Sequence, residues 1–267
     1  MKYRLLALDL DGTLTNSQKI ITAKTKEVLF DAQKAGLRLV LASGRPTEGI
    51  LHLAEELELS KYGGFVLAFN GARIFDMATG QIIFEQTLPM DSIPVVEALA
   101  DRYDVTVLTY KDGGIITKNP DNPYVELEGK INLIGSKFVS SFTEAVDSPV
   151  PKCLMVGDGD YMAEVEPKVR EALPHLSVYR SEPFFLEVMP TGVDKANSLE
   201  KLLAYVGATR EELAACGDGY NDVSMVSYAG LGVAMANANE KLKAVADVVT
   251  LSNDEDGVAE AVLRYMM

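Results

Sequence analysis

The sequence predicts an α/β protein, with a parallel-sheet core built from both ends of the chain and a second α/β domain inserted between them. Three observations predict this. Over residues 1–70, short unbroken apolar runs alternate with stretches whose apolar positions repeat at helical spacing. Strands buried on both faces and their crossover helices read this way. The same alternation returns from Asp194 to the end. Between the two lie strand pairs joined by turn residues, the pattern of antiparallel hairpins.

The elements follow in order. LLALDL (5–10) is a buried strand. Thr22 precedes a helix in which Val28, Leu29, Ala32 and Ala35 repeat at helical spacing, with Gly36 as the stop. LRLVLA (37–42) is the second strand, residues 46–58 a helix with Ile50, Leu53, Ala54 and Leu57 on one face, and GFVLAF (64–69) the third strand. Such alternation implies parallel strands with right-handed crossovers. ARIFD and QIIFEQ then flank Ala78, Thr79 and Gly80 as a hairpin, and residues 105–118 form another around Asp112, Gly113 and Gly114. Residues 119–150, with their repeated prolines, read as irregular. CLMV is a strand, 160–173 a helix, and SVYRS and FFLEVM two further strands. The last part runs helix 194–206, strand ELAAC, helix 221–227, strand GLGVAM, helix 240–246, strand VVTL and helix 257–265. The expected division is a core of 1–82 and 187–267 with an inserted domain at 83–186.

The bulk numbers exclude several classes. With 267 residues, 48% hydrophobic and 24% charged, the chain has the profile of a globular protein with a well-developed core. LLAL and CLMV are far too short to span a bilayer. The start meets Asp9 and Asp11 before any signal-peptide apolar core, so a cytoplasmic location is expected. A net charge of −14 argues against non-specific binding to nucleic acid or to an anionic membrane. Cys153 and Cys216 sit inside apolar runs with no C-x-x-C spacing, and read as buried thiols.

In an open parallel sheet, ligands bind beyond the carboxyl ends of the strands. After the first strand come Asp9, Asp11, Gly12 and Thr13; after the second, Ser43, Gly44 and Arg45; after the third, Asn70 and Gly71. After ELAAC come Gly217, Asp218, Gly219, Asn221 and Asp222, and Lys195 starts the helix feeding that strand. Carboxylates gathered at one strand edge repel one another and call for a cation. Hard oxygen ligands suit Mg²⁺, which also binds phosphate oxygens. Ser43, Asn70 and the charge of Lys195 can hold an anion opposite that metal. Metal, anion cradle and extra carboxylate together suggest phosphoryl transfer. In Asp-x-Asp the two side chains point to one side of a strand. One can attack phosphorus, and the other can protonate the leaving oxygen and then deprotonate water.

Gly-Asp-Gly occurs twice, in VGDGDYMAE from Val156 and in CGDGYNDVS from Cys216. Asp158 lacks the following Asn221–Asp222 pair and lies in the insertion, so a turn and helix N-cap is expected there, with the chemistry at Asp218.

DLDGTLT, ASGR with Ser43, then Lys195, then GDGYND with Asp218 and Asp222 resemble the haloacid dehalogenase superfamily of phosphatases in order and spacing over the whole chain. ASGRP, FNGA and VAMANA resemble its Cof-type subgroup, mostly sugar-phosphate phosphatases. The resemblance implies a Rossmann-like core and a cap that closes over the substrate. It implies Asp9 as nucleophile and metal ligand, and Asp11 as general acid/base with its carbonyl on the metal. Asp218 would be the third ligand. Ser43 and Lys195 would bind the phosphoryl group, joined by Gly44, Arg45, Asn70 and Asn221 around phosphate or substrate. Asp222 would support the metal or Lys195 from behind. Ala196 and Ala236 each stand where the family pattern has glycine, a difference that bears on substrate fit.

The expected activity is Mg²⁺-dependent hydrolysis of a small phosphorylated metabolite, a sugar phosphate, by a monomer or small homo-oligomer. A phosphosugar mutase uses the same chemistry. A receiver domain also phosphorylates an aspartate but predicts no insertion. A non-catalytic sugar-phosphate sensor has no need of both Asp9 and Asp11.

Overall fold

The computed structural model describes residues 2–267. The chain divides into two compact units, Met1–Phe84 with Asp194–Met267, and Glu85–Val193.

In chain order the first unit begins with β1 (Leu5–Leu8), α1 (Ala23–Lys34), β2 (Arg38–Ala42), α2 (Glu48–Glu56), α3 (Leu59–Tyr62), β3 (Phe65–Ala68), β4 (Arg73–Asp76) and β5 (Gln81–Glu85). The inserted unit holds α4 (Ser92–Arg102), β6 (Thr106–Lys111), β7 (Gly114–Thr117), α5 (Pro123–Asn132), β8 (Ser136–Phe138), α6 (Phe142–Ala145), β9 (Cys153–Val156), α7 (Gly159–Ala172), β10 (Leu176–Glu182) and β11 (Phe185–Pro190). The chain then returns through α8 (Lys195–Val206), β12 (Leu213–Gly217), α9 (Val223–Tyr228), β13 (Leu231–Ala234), α10 (Glu240–Lys243), β14 (Val248–Val249) and α11 (Gly257–Tyr265).

The first unit carries an eight-stranded sheet in the order β14-β13-β12-β1-β2-β3-β4-β5. β1 pairs in parallel with β2 on one side and β12 on the other, with Leu5 opposite both Arg38 and Leu213. All four residues of β1 are buried, as an apolar run between two helix-covered faces requires. Leu5, Ala7, Val40, Leu67 and Leu213 pack on Leu199, Leu202 and Leu203 of α8 to form one face of the core. Strand order reverses at β1, so its carboxyl end opens at a topological switch point, where crevices form in such sheets.

The inserted unit carries a six-stranded sheet, β10-β11-β9-β6-β7-β8, with its own core of Val107, Cys153, Met155, Leu186 and Val188 under Val96, Met162, Val165 and Val169. Two sequence-based expectations change here. The boundary expected at 186 falls inside β11, which pairs with β9 and β10 on both sides, so the division comes after Val193. Residues 119–150, read as irregular, contain α5, β8 and α6. Asn122 caps α5 by accepting from the Tyr124 amide, and Pro123 takes the first helical turn, where its missing N–H costs nothing. Asn-Pro here starts a helix rather than breaking one.

Candidate active site

Three adjacent strands end in the expected side chains. Asp9 follows β1, and its amide donates to the Cys216 carbonyl of β12 (3.1 Å). Ser43 follows β2, and Asp218 follows β12. Lys195 occupies the first turn of α8, where the helix dipole disfavours a cation. Its neighbours resolve that conflict. Lys195 Nζ donates to Asp9 Oδ1 (2.7 Å), Asp222 Oδ1 (2.6 Å) and the Ala42 carbonyl (2.9 Å), and the lysine is fully buried. Burial would lower its pKa, but the Asp222 and Asp9 charges outweigh this and raise it, so it stays protonated.

Asp222 is engaged on both oxygens. Its Oδ2 accepts the amides of Asp218 (3.1 Å) and Gly219 (2.9 Å), which fixes the turn that presents Asp218. The Asp218 carboxylate accepts from Thr13 Oγ1 (2.8 Å), and its carbonyl accepts from the Asn239 amide (3.2 Å) and Asn239 Nδ2 (2.9 Å). Gly12 lies at φ +85°, and a Cβ there would sit 2.4 Å from Asp218 Oδ2. Only glycine allows the two loops to approach this closely.

Ser43 heads a tight turn. Its hydroxyl accepts the Arg45 amide (3.2 Å) and its carbonyl accepts the Asn70 amide (2.9 Å). Asn70 sits in the left-handed region (φ 55°), which asparagine tolerates, and a Cβ on Gly44 would come within 3.2 Å of its side chain. Asn221 Nδ2 donates to Asn70 Oδ1 (3.1 Å), linking the third strand's loop to that of β12. The Arg45 guanidinium reaches the Asp11 carboxylate, with Nε to Oδ2 at 2.9 Å and Nη2 to Oδ1 at 2.8 Å. The structure thus brings the sequence-predicted residues of the first unit to one sheet edge. Asp158 lies in the inserted unit as the N-cap of α7, accepting from the Asp160 and Tyr161 amides.

Asp9, Asp218 and Asp222 each offer a carboxylate oxygen, and these lie within 4.8 Å of one another; this is the cluster of potential metal ligands found among the described residues. Burial first, then the Asp222 charge, pushes Asp9 up to about 8, and burial pushes Asp218 up to about 6. Three acids served by one lysine leave excess negative charge in a shielded place, which favours the protonated form of Asp9 and Asp218. A bound cation would remove it. The donor set is all hard oxygen, without cysteine or histidine, and fits Mg²⁺ or a similar ion.

Several contributors were not legible as site residues. Asn237 and Asn239 act from a loop distant in sequence from β1, Asn237 through Nδ2 to the Gly12 carbonyl (2.8 Å) and Asn239 through Nδ2 to the Asp218 carbonyl. Lys19 Nζ donates to Asp11 Oδ1 at 2.7 Å from a turn with positive φ. Polar loop residues carry no periodic signal, so only the folded geometry identifies them.

Residues 6–262 match the family model of haloacid dehalogenase-like hydrolases. The solved structure of a haloacid dehalogenase-like hydrolase from Bacteroides thetaiotaomicron is similar with a TM-score of 0.95 at 47% identity, covering 98% of this chain and 99% of that one. A subclass IIB sugar phosphatase of the same superfamily is similar with a TM-score of 0.80 at 28% identity, over 98% of each chain. The 5-amino-6-(5-phospho-D-ribitylamino)uracil phosphatase YcsE of Bacillus subtilis (strain 168) is 29% identical over 264 residues, covering 99% of this chain and 96% of its own length.

Proposed function

The chain belongs to the haloacid dehalogenase-like hydrolase family and is a phosphatase; from that premise we propose that it hydrolyses a small sugar phosphate through an aspartyl phosphate on Asp9. The observation that carries this reading is Lys195 Nζ held between Asp9 Oδ1 (2.7 Å) and Asp222 Oδ1 (2.6 Å) at the switch point of the sheet. Such a lysine fixes the Asp9 carboxylate for in-line attack and lends positive charge to the phosphoryl oxygens.

Asp9 attacks phosphorus while the bond to the sugar oxygen breaks, and Asp11 gives that oxygen a proton. Asp11 then takes a proton from water as the water oxygen attacks the aspartyl phosphate. Inorganic phosphate leaves, and Asp9 is regenerated as carboxylate. Ser43, the amide of Gly44, Asn70 and Asn221 line the place for the phosphoryl group. Asp9, Asp218 and the Asp11 carbonyl would hold Mg²⁺, with Asp222 fixing the Asp218 turn from behind. When bound, the ion would neutralise charge between the carboxylates and the phosphoryl oxygens. The inserted unit would select the leaving group.

The sugar assignment draws on the subclass IIB sugar phosphatase and on YcsE, whose substrate name carries a phosphorylated ribityl chain. Phosphate release from a panel of hexose, pentose and polyol phosphates, with Mg²⁺ and with chelator, tests it. Wild type and Asp158→Asn should turn over with Mg²⁺, and Asp218→Asn should not. Loss at Asp158→Asn with retention at Asp218→Asn would overturn the site assignment.

A further inference from the structure

The turn after β1 is held from the far edge of its own sheet. β12 separates β13 from β1, and β14 lies beyond β13 at the edge, yet the loops that follow β13 and β14 both bind residues 12–17. Asn237, after β13, donates through Nδ2 to the Gly12 carbonyl (2.8 Å). Asn253, after β14, donates through Nδ2 to the Thr15 carbonyl (3.0 Å) and through its backbone amide to Asn237 Oδ1 (3.1 Å). The two asparagines thus hold one another and one turn. Asp254 adds a contact farther along, accepting the Ser17 amide (2.8 Å) and Ser17 Oγ (2.6 Å). Asp256 serves a different element, its Oδ1 accepting the Thr22 and Thr25 hydroxyls at the start of α1.

The turn is coupled to Asp218. Thr13 Oγ1 donates to Asp218 Oδ1 (2.8 Å), and a Cβ on Gly12 would lie 2.4 Å from Asp218 Oδ2. Groups packed this closely do not shift independently. Within the turn, the Leu14 amide donates to the Asp9 carbonyl (3.2 Å) and the Thr15 amide to the Leu10 carbonyl (2.9 Å). Asn237 is exposed, and an exposed hydrogen bond exchanges with water at little net cost to folding. What its bonds determine is therefore where the turn sits, more than whether the protein folds.

We propose that Asn237 and Asn253 are positioning residues for phosphoryl transfer, holding the Gly12–Thr15 turn so that Asp218 keeps its place beside Asp9. Resting on the phosphatase reading above, this role adds no chemical step. Both residues act through the Gly12 and Thr15 carbonyls. Because they set the arrangement used in the transition state, their loss should lower kcat and kcat/KM together and leave KM in place.

Wild type, Asn237→Ala, Asn253→Ala, the double variant and Asp256→Ala are compared as full chains with Mg²⁺. Three quantities are measured: kcat and KM on the best sugar phosphate of the panel, Tm, and hydrogen exchange in peptides covering residues 11–17. Asn237→Ala and Asn253→Ala should each lower kcat about 10-fold with KM within about 2-fold of wild type. That is less than the roughly 100-fold cost of an ångström's displacement, because the turn keeps its own backbone bonds. Exchange over 11–17 should quicken about 10-fold, with Tm within about 2 °C of wild type. The double variant should lose less than the product of the single losses, because both residues hold one turn and touch each other. Asp256→Ala should do the reverse, lowering Tm by about 3 °C or more while kcat stays within about 2-fold. Wild-type kcat in Asn237→Ala, a rise in KM instead, or independent losses in the double variant would overturn the proposal. An equal loss of kcat in Asp256→Ala would overturn it too, by making the contacts merely structural. Failure of the phosphatase reading would show separately, as no phosphate release by wild type. The exchange rates then still decide whether the turn is held in this way, and wild-type exchange in Asn237→Ala would overturn it.

Discussion

Lys195 Nζ lies 2.6 Å from Asp222 Oδ1, with both side chains fully buried. Asp222 uses its other oxygen to hold the Asp218 and Gly219 amides, so one carboxylate fixes both the lysine and the turn that presents Asp218. Breaking such a pair from one side leaves an uncompensated buried charge. Lys195→Met should therefore destabilise the protein by about 3–5 kcal/mol in urea unfolding, as well as remove activity. A stability change within about 0.5 kcal/mol of wild type, the range of ordinary surface substitutions, would mean that the pair is not structurally important.

The acidic cluster predicts how pH and metal act together. Asp9 rises from its ordinary 3.8 to about 8, and Asp218 to about 6, burial being the first cause in each. A carboxyl raised in the folded state opposes folding once the unfolded chain ionises. Its penalty grows as pH climbs from 3.8 and is complete above about 8. A cation needs the ionised form and offsets that penalty. The rise in Tm on adding Mg²⁺ should therefore be larger at about pH 8.5 than at about pH 5.5, where Asp9 keeps its proton. Equal rises at the two pH values would contradict the site.

Gly12 makes a steric prediction. Gly12→Ala would place a Cβ 2.4 Å from Asp218 Oδ2 in a backbone at φ +85°. Gly36, at φ +102°, has nothing within 4 Å of its would-be Cβ, so Gly36→Ala is the control for conformational strain alone. Displacing a catalytic loop by roughly an ångström costs on the order of 100-fold in rate. Gly12→Ala should lose that much kcat, while Gly36→Ala should keep activity and lose only about 1 kcal/mol or somewhat more of stability. Comparable kcat values for the two variants would show that the approach of the Gly12 loop to Asp218 is not needed.

The sequence exposed the strands ending in Asp9, Ser43 and Asp218 because buried parallel strands are continuous apolar runs that stop at polar turn residues. It exposed Lys195 because a cation in a helix's first turn asks for an anion, and two are present. Asp158 was readable as a helix cap for the same local reason. What escaped has physical causes too. Proline signals both loop and first helical turn, and only the Asn122 cap decides for α5. The end of the insertion depends on β11 pairing with β9 and β10, a contact between strands rather than a local pattern. Asn237 and Asn239 serve the site across long sequence separations. Whether Arg45 faces a ligand or Asp11 depends on the spacing of two strand ends, which no residue pattern encodes.

The proposed reaction requires that Asp9 become phosphorylated. Mixing the protein with Mg²⁺ and its best sugar phosphate, quenching with acid after milliseconds and reducing with borohydride converts an aspartyl phosphate to homoserine, which peptide mass spectrometry locates. Homoserine is expected at position 9 in wild type and at no position in Asp9→Asn. Steady turnover by wild type with modification at another aspartate, or undiminished turnover by Asp9→Asn, would contradict it.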